Sequence, residues 1–418
     1  MNQVYSPSQK MQKKSIDTSL VFLILGLVIF WMIMISSVSV YSSFKVTSKM
    51  FADGKIEEAN NYFYLLRNMI HVWMGLFAVV IISKIDYTFF ERYAKRIFWT
   101  TLLFLFIVLF IGSKYNGARW WIDIPWVPFS LQPVEFVKIW LILVLAYFMK
   151  KKRSELSDLY NGFIPFFSIV WVVFLLLVFQ PDFWSILIIA PITIAMYYIW
   201  WGNIRYIFIS FLICLVWAST IYGIGKLWGE NGNVLSYISK RIDNFFRDGK
   251  EIVEKSNPDG KDYQIKQWLL AIGSGGFFGL GFGKSIQKFW YLPEVQWDFI
   301  FSVIVEELWF LWAMFLFWIY LWIAFRGFTI ARSTKDVFWR YTAFGITMLI
   351  ITQAFINIWV NLNIVPLTWV TLPFVSYGWS SLFSLMISVW ILLSISRHME
   401  YKPENLIDAL SAKRKVVL

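Results

Sequence analysis

Residues Tyr263–Leu308 read YQIKQWLLAIGSGGFFGLGFGKSIQKFWYLPEVQWDFIFSVIVEEL, a stretch that begins as polar, glycine-rich loop and ends as hydrophobic helix. The change falls at Asp298, which Phe299, Ile300 and Phe301 follow at once. A carboxylate at the mouth of an apolar run is costly in a bilayer and usually has a function there. The whole chain fits a membrane setting. Of its 418 residues 59% are hydrophobic and 15% charged, where soluble domains carry about 25% charged residues. Mean hydropathy is +0.61. Apolar runs of roughly 20 residues cross a bilayer as helices, because a helix satisfies its own backbone in lipid. The expected fold is an all-α polytopic membrane protein.

Working outward, the apolar runs number about ten. They are Leu20–Val40, a run near Met69–Ile85, Ile97–Gly112, one ending at Lys150–Arg153, Phe163–Phe179, Trp184–Trp200, Ile204–Ile224, Phe299–Ala324, Thr342–Trp359 and Tyr377–Ile395. Basic residues cluster at Lys10, Lys13 and Lys14, in KIDYTFFERYAKR, at Lys150–Arg153, and at Arg326, Arg332, Lys335 and Arg340. The positive-inside rule puts those loops and both termini in the cytoplasm. One membrane domain then fills residues 1–418, with an N-terminal tail (1–19), a large extracellular loop between spans seven and eight (226–297) and a C-terminal tail (397–418). The first apolar run is too long for a signal-peptide core. A lone cysteine, Cys214, excludes an intramolecular disulfide, and two histidines, His71 and His398, cannot make a histidine-rich metal site. With this many spans, the net charge of +12 points to anionic lipid and not to nucleic acid.

Three charged clusters interrupt apolar sequence on the expected outer side. The first runs from Asn116–Arg119 to Gln132–Lys138. In it Glu135 and Lys138, three apart, share a helix face and can pair, either as a functional set or simply to fix packing. The second is Gln180–Pro181–Asp182, where Asp182 either faces a site or caps the next helix. The third is Pro293–Asp298, with Glu306 and Glu307 about two turns on. Asp298 is either functional or a cap. The glycines at 273, 275, 276, 279, 281 and 283 match neither a nucleotide fingerprint nor a P-loop, and read as a flexible or re-entrant loop.

These blocks, in this order, resemble a family. GAR-x-WI, QPxEFxK, QPDF, the YQ…AIGSGG…QK…YLPE…DFIF…EEL stretch and N…P-x-T…LPF-x-SYG-x-SS are similar to the SEDS proteins of cell-wall synthesis. QKF-x-YLPE and LPFVSYG look more like the division-type branch, FtsW, or its sporulation counterpart, than the elongation-type RodA. The resemblance implies a ten-helix peptidoglycan glycosyltransferase that polymerises lipid II by inverting transfer with release of undecaprenyl diphosphate. Asp298 matches the family's essential aspartate, and Arg119, Glu135 and Lys138 match its charged cavity set. Gln132, Asp182, Glu307, Ser380 and Ser381 fall in the same motifs as expected substrate-binding residues. The chemistry suits the residue types. A carboxylate can take the acceptor hydroxyl's proton, and cations can stabilise the departing diphosphate. A divalent cation (Mg2+ or Mn2+) on that diphosphate is compatible, with no dedicated ligand cage in the sequence. Implied partners are a class B penicillin-binding protein and other divisome proteins, at the septum of the bacterial inner (plasma) membrane. A flippase for the same lipid and a non-catalytic divisome scaffold are the competing readings.

The chain departs from the family pattern in two ways. Gln296–Trp297 stands where the pattern has His-Thr before the aspartate. Tryptophan also outnumbers glycine, 25 to 22. Trp126, Trp184, Trp309, Trp312, Trp369 and Trp379 all occupy the pattern's glycine positions, and Trp290, Trp297 and Trp359 are further candidates. Glycine there permits φ > 0 or close helix approach, and overpacking one such site costs about 1–3 kcal/mol. The reading is that a UGA codon meaning glycine has been written as tryptophan. The alternative is a divergent or inactive homologue with filled cavities.

Overall fold

The computed structural model describes residues 16–397 except 83, 85–87, 116–117, 124–129, 181, 200–203, 228–242, 244–260, 277, 291–294 and 367. Most of the two tails, most of the first half of the expected 226–297 loop, Trp126, Pro293 and Glu294 lie outside the described residues, as do the side chains of Arg119 and Trp290.

The chain opens with α1 (Thr18–Val38), capped by Asp17, whose carboxylate accepts from the Leu20 amide at 3.0 Å. After Ser39, α2 (Val40–Ala52) follows at once. Next come α3 (Phe63–Ile82), the short α4 (Thr88–Arg92) and α5 (Ala94–Ile111). A small antiparallel sheet, β1 (Ser113–Tyr115), β2 (Ala118–Asp123) and β3 (Ser130–Leu131), departs from the expected all-helical chain. Then α6 (Pro133–Lys151) starts with proline in its first turn, where no amide is needed. It is followed by α7 (Ile164–Phe179), α8 (Phe183–Ile199) and α9 (Ile204–Leu227). Part of the expected outer loop is helical, as α10 (Lys261–Gly275) and α11 (Gln287–Trp290). The chain finishes with α12 (Ile300–Leu308), α13 (Phe310–Ser333), α14 (Val337–Asn361) and α15 (Trp379–Ser396).

Eight of the described helices are long and apolar enough to cross a bilayer. The ten expected runs also include α8, a shorter apolar helix, and α6, whose charges lower its hydropathy. The expected eighth span, Phe299–Ala324, is corrected. Its helix breaks at Trp309, where φ is 88° and ψ 160°, so the first nine residues form α12 and the long helix is α13. That backbone region is essentially reserved for glycine.

The core is organised around α14. Within their most apolar stretches α14 and α15 are 78% buried, against 22% for α3 and α5. At one end Asp336 caps α14 and also meets Lys150 at the end of α6, 3.1 Å away, so the two helices run antiparallel. Their other ends converge on polar residues. Against α12 lies α10, close enough that a Cβ at Gly275 would sit 2.4 Å from the Val305 carbonyl oxygen. Gly275→Val should therefore cost about 1–3 kcal/mol, read as a lower midpoint of thermal unfolding in detergent.

Candidate active site

Between α3, α6, α8, α14, α15 and the small sheet lies a cavity of about 730 Å³. Its wall includes Asp298, Glu135, Asp182, Gln132, Ser380 and Ser381 from the residues picked out in the sequence. Three separate stretches of irregular chain bring them together.

The first stretch leads into α6. Gln132 donates its amide to Ser380 Oγ at 3.1 Å, so the start of α6 is tied to the start of α15. One turn in, Glu135 is 2.8 Å from Lys138, with both side chains nearly buried. Ser384 of α15 donates to the other Glu135 oxygen at 3.4 Å, and Lys138 also donates to Gln353 at 3.3 Å. Lys138 lies behind Glu135 and is not itself part of the wall. Breaking one half of so buried a pair costs more than the pair contributes.

The second stretch precedes α8. Asp182 accepts from the Ser185 amide at 3.1 Å and from its hydroxyl at 2.7 Å, so it caps α8 while also lining the cavity. Gln180 beside it is buried and bonds the Leu105 carbonyl at 2.6 Å, and the Trp120 indole donates to the Gln180 carbonyl at 2.9 Å. Arg119 precedes Trp120 on β2, paired in register with Lys114.

The third stretch carries Asp298, 8% exposed, in the turn before α12. Tyr377 donates its amide to the Gln296 carbonyl at 2.8 Å, and Trp297 packs edge-on against the Tyr377 ring at 4.9 Å. The Asp298 backbone carbonyl accepts from Asn357 at 3.1 Å and Asn361 at 3.0 Å.

Glu307 is a correction. It is fully buried, lies outside the cavity wall and is engaged internally. Lys288 lies 2.7 Å from it, Ser37 of α1 donates at 2.8 Å, and the Gly283 amide donates at 3.0 Å. Glu306 accepts from the Ser285 hydroxyl at 2.5 Å and the Ile286 amide at 3.0 Å. The glycine-rich loop thus cradles two carboxylates of its own chain. Glycines 279, 281 and 283, with φ of 64°, 98° and 80°, let it turn its amides inward.

Sequence reasoning missed Arg67 and His71, which reach the cavity wall from α3 with Tyr64. The signal was present: two ionisable residues four apart in an otherwise apolar helix share one face and rarely face lipid. Trp120, Trp121, Trp184, Trp297, Trp369 and Trp379 also line the cavity. Among the described residues no three His, Cys, Asp or Glu side chains converge as a metal cage. A divalent ion would have to take most of its ligands from the substrate.

The sequence matches the FtsW/RodA/SpoVE family of cell cycle proteins over residues 18–401. The chain belongs to this family. Stage V sporulation protein E of Bacillus subtilis (strain 168) is 33% identical over 383 residues, 91% of this chain and 98% of that protein. A probable peptidoglycan glycosyltransferase FtsW from Trichlorobacter lovleyi is 33% identical over 389 residues, 93% and 94% of the two chains. Among solved structures, RodA of Thermus thermophilus superposes with a TM-score of 0.64 at 22% identity, covering 93% of this chain and 98% of that one. A chain of a peptidoglycan synthase complex superposes at 0.69 with 21% identity, covering 93% and 99%. The fold is therefore that of a polytopic helical membrane protein of the FtsW/RodA/SpoVE family, with the cavity inside its helical bundle.

Proposed function

We propose that this member of the family is a peptidoglycan glycosyltransferase that polymerises lipid II during cell division. The observation that carries the reading is the buried carboxylate Asp298, with Glu135 and Asp182, on the wall of a large cavity inside a membrane bundle. In the proposed step Asp298 accepts the proton of the acceptor sugar's 4-hydroxyl as that oxygen attacks C1 of the donor. The bond from C1 to the diphosphate oxygen breaks, the anomeric centre inverts, and undecaprenyl diphosphate leaves with the bonding pair. Arg67 and Arg119 are the cations assigned to the leaving charge. Glu135 and Asp182 are assigned to sugar hydroxyls, and Gln132, Ser380 and Ser381 to sugar and diphosphate oxygens. Lys138 acts on them through Glu135.

The proposal places the chain in the inner membrane as one domain with both termini cytoplasmic. It works at the septum beside a class B penicillin-binding protein and other divisome proteins. Purified protein in vesicles with lipid II and that partner should yield polymeric glycan resolved on a gel. Translocated lipid with no polymer would instead identify a flippase.

A further inference from the structure

We infer that Gln353, Asn357 and Asn361 form a positioning ladder that holds the proposed base and the charged set of α6 in one fixed geometry. The inference rests on the reading of Asp298 as the base. The three carboxamides recur every four residues, so they share one face of α14, and they are 1%, 2% and 0% exposed. A buried amide is tolerated only when its donors and acceptors are met, and here the partners are what matters.

At the upper rungs two amides converge on one oxygen. Asn357 and Asn361 both donate to the carbonyl of Asp298, at 3.1 and 3.0 Å. A carbonyl oxygen has two lone pairs, so this pairing can occupy both. The amides of Ser302 and Val303, in the first turn of α12, donate to the Phe299 carbonyl instead. Side chains of another helix therefore fix the peptide plane that follows Asp298, and with it the direction in which the Asp298 side chain leaves the backbone. Ser302 donates to Asn361 Oδ1 at 2.7 Å, which sets the amide's orientation. Asn357 also bonds the Val370 carbonyl at 2.6 Å, holding another part of the cavity wall.

At the lower rung Gln353 accepts from Lys138 at 3.3 Å and donates to Thr371 Oγ1 at 3.1 Å and Ser381 Oγ at 3.2 Å. One rigid helix thus sets the distance between Asp298 and the Glu135–Lys138 pair. Proton transfer depends on placement within a fraction of an ångström. A loop residue obtains that placement only from a rigid support.

The test is steady-state polymerisation of lipid II by the full chain with its transpeptidase partner. The variants Asn357→Leu and Asn361→Leu should each lower kcat by about tenfold or more, with KM changed less than about twofold. The double variant should fall little further than the worse single one, because both act on one carbonyl. Asn361→Ala removes the donors without overpacking the site, so it carries the test if the leucine variants do not fold. It should show the same loss of kcat while eluting as folded protein on size exclusion. Full kcat in either form of the test overturns the ladder, and so does a loss that tracks the folded fraction. Asp298→Ala is run alongside. If it is inactive while the asparagine variants are active, only the ladder fails. If it is active, the reading of the base fails.

Discussion

A Lys288→Met variant should lose about 3–5 kcal/mol of stability, seen as a large drop in thermal midpoint in detergent. This is the order of loss found when one partner of a fully buried ion pair is removed and the other stays charged. Lys288 and Glu307 are 2.7 Å apart with side-chain exposures of 2% and 0%. Ser37 ties the pair to α1, donating to Glu307 and accepting from Lys288. The same carboxylate holds the Gly283 amide, so the loop leading to Asp298 should loosen too. Glu307→Gln in the Lys288→Met background should recover part of the loss, because it removes the stranded charge. Full stability in the single variant would mean that the pair does not anchor the loop.

At position 309 glycine should be more stable than alanine by about 1–3 kcal/mol, the range for a side chain held in a sparsely populated backbone region. Trp309 is one of three described non-glycine residues with positive φ, the others being Asn363 and Phe374. Its ψ of 160° puts it in the region that side chains avoid most strongly. Comparing Trp309→Gly with Trp309→Ala isolates the backbone contribution, because both lose the ring's edge-on contact with Phe278. Alanine equal to glycine would remove the argument. The same residue bears on the tryptophan excess. Protein from its native source should give a peptide across position 309 lighter by the difference between tryptophan and glycine if the codon is read as glycine there. An unshifted mass would contradict that reading.

Much of the fold was legible because lipid imposes simple rules. The apolar runs located the long helices, and Pro133, Asp182 and Asp336 stand at helix starts, where proline and short acidic side chains belong. The apolar pattern did not show the break at Trp309, and the one sequence signal for it was the family's glycine at that position, which permits φ > 0. Nor could spacing distinguish Glu307 from Glu135. Both are acidic residues within apolar sequence, but Glu135 reaches the cavity while Glu307 meets Lys288 and Ser37 from distant parts of the chain. The asparagines of α14 were hidden for the same reason. Their partner is a backbone carbonyl about sixty positions away, and carbonyls leave no trace in a sequence.

The charged set near α6 was readable from its motif, but its arrangement was not. Glu135 and Lys138 were expected to pair, and they do, at 2.8 Å. That Gln353 and Ser384 complete the arrangement from two other helices follows only from the packing of α6 against α14 and α15. Arg67 and His71 show the opposite case, a legible signal passed over because no motif surrounded it.

The role of Asp298 is read out by polymerisation of lipid II by purified Asp298→Ala protein with its transpeptidase partner. With Asp298 as the base, no glycan polymer should form above background, while lipid II binding and the folded fraction stay as in the parent protein. Polymer formed at the parent rate would contradict it.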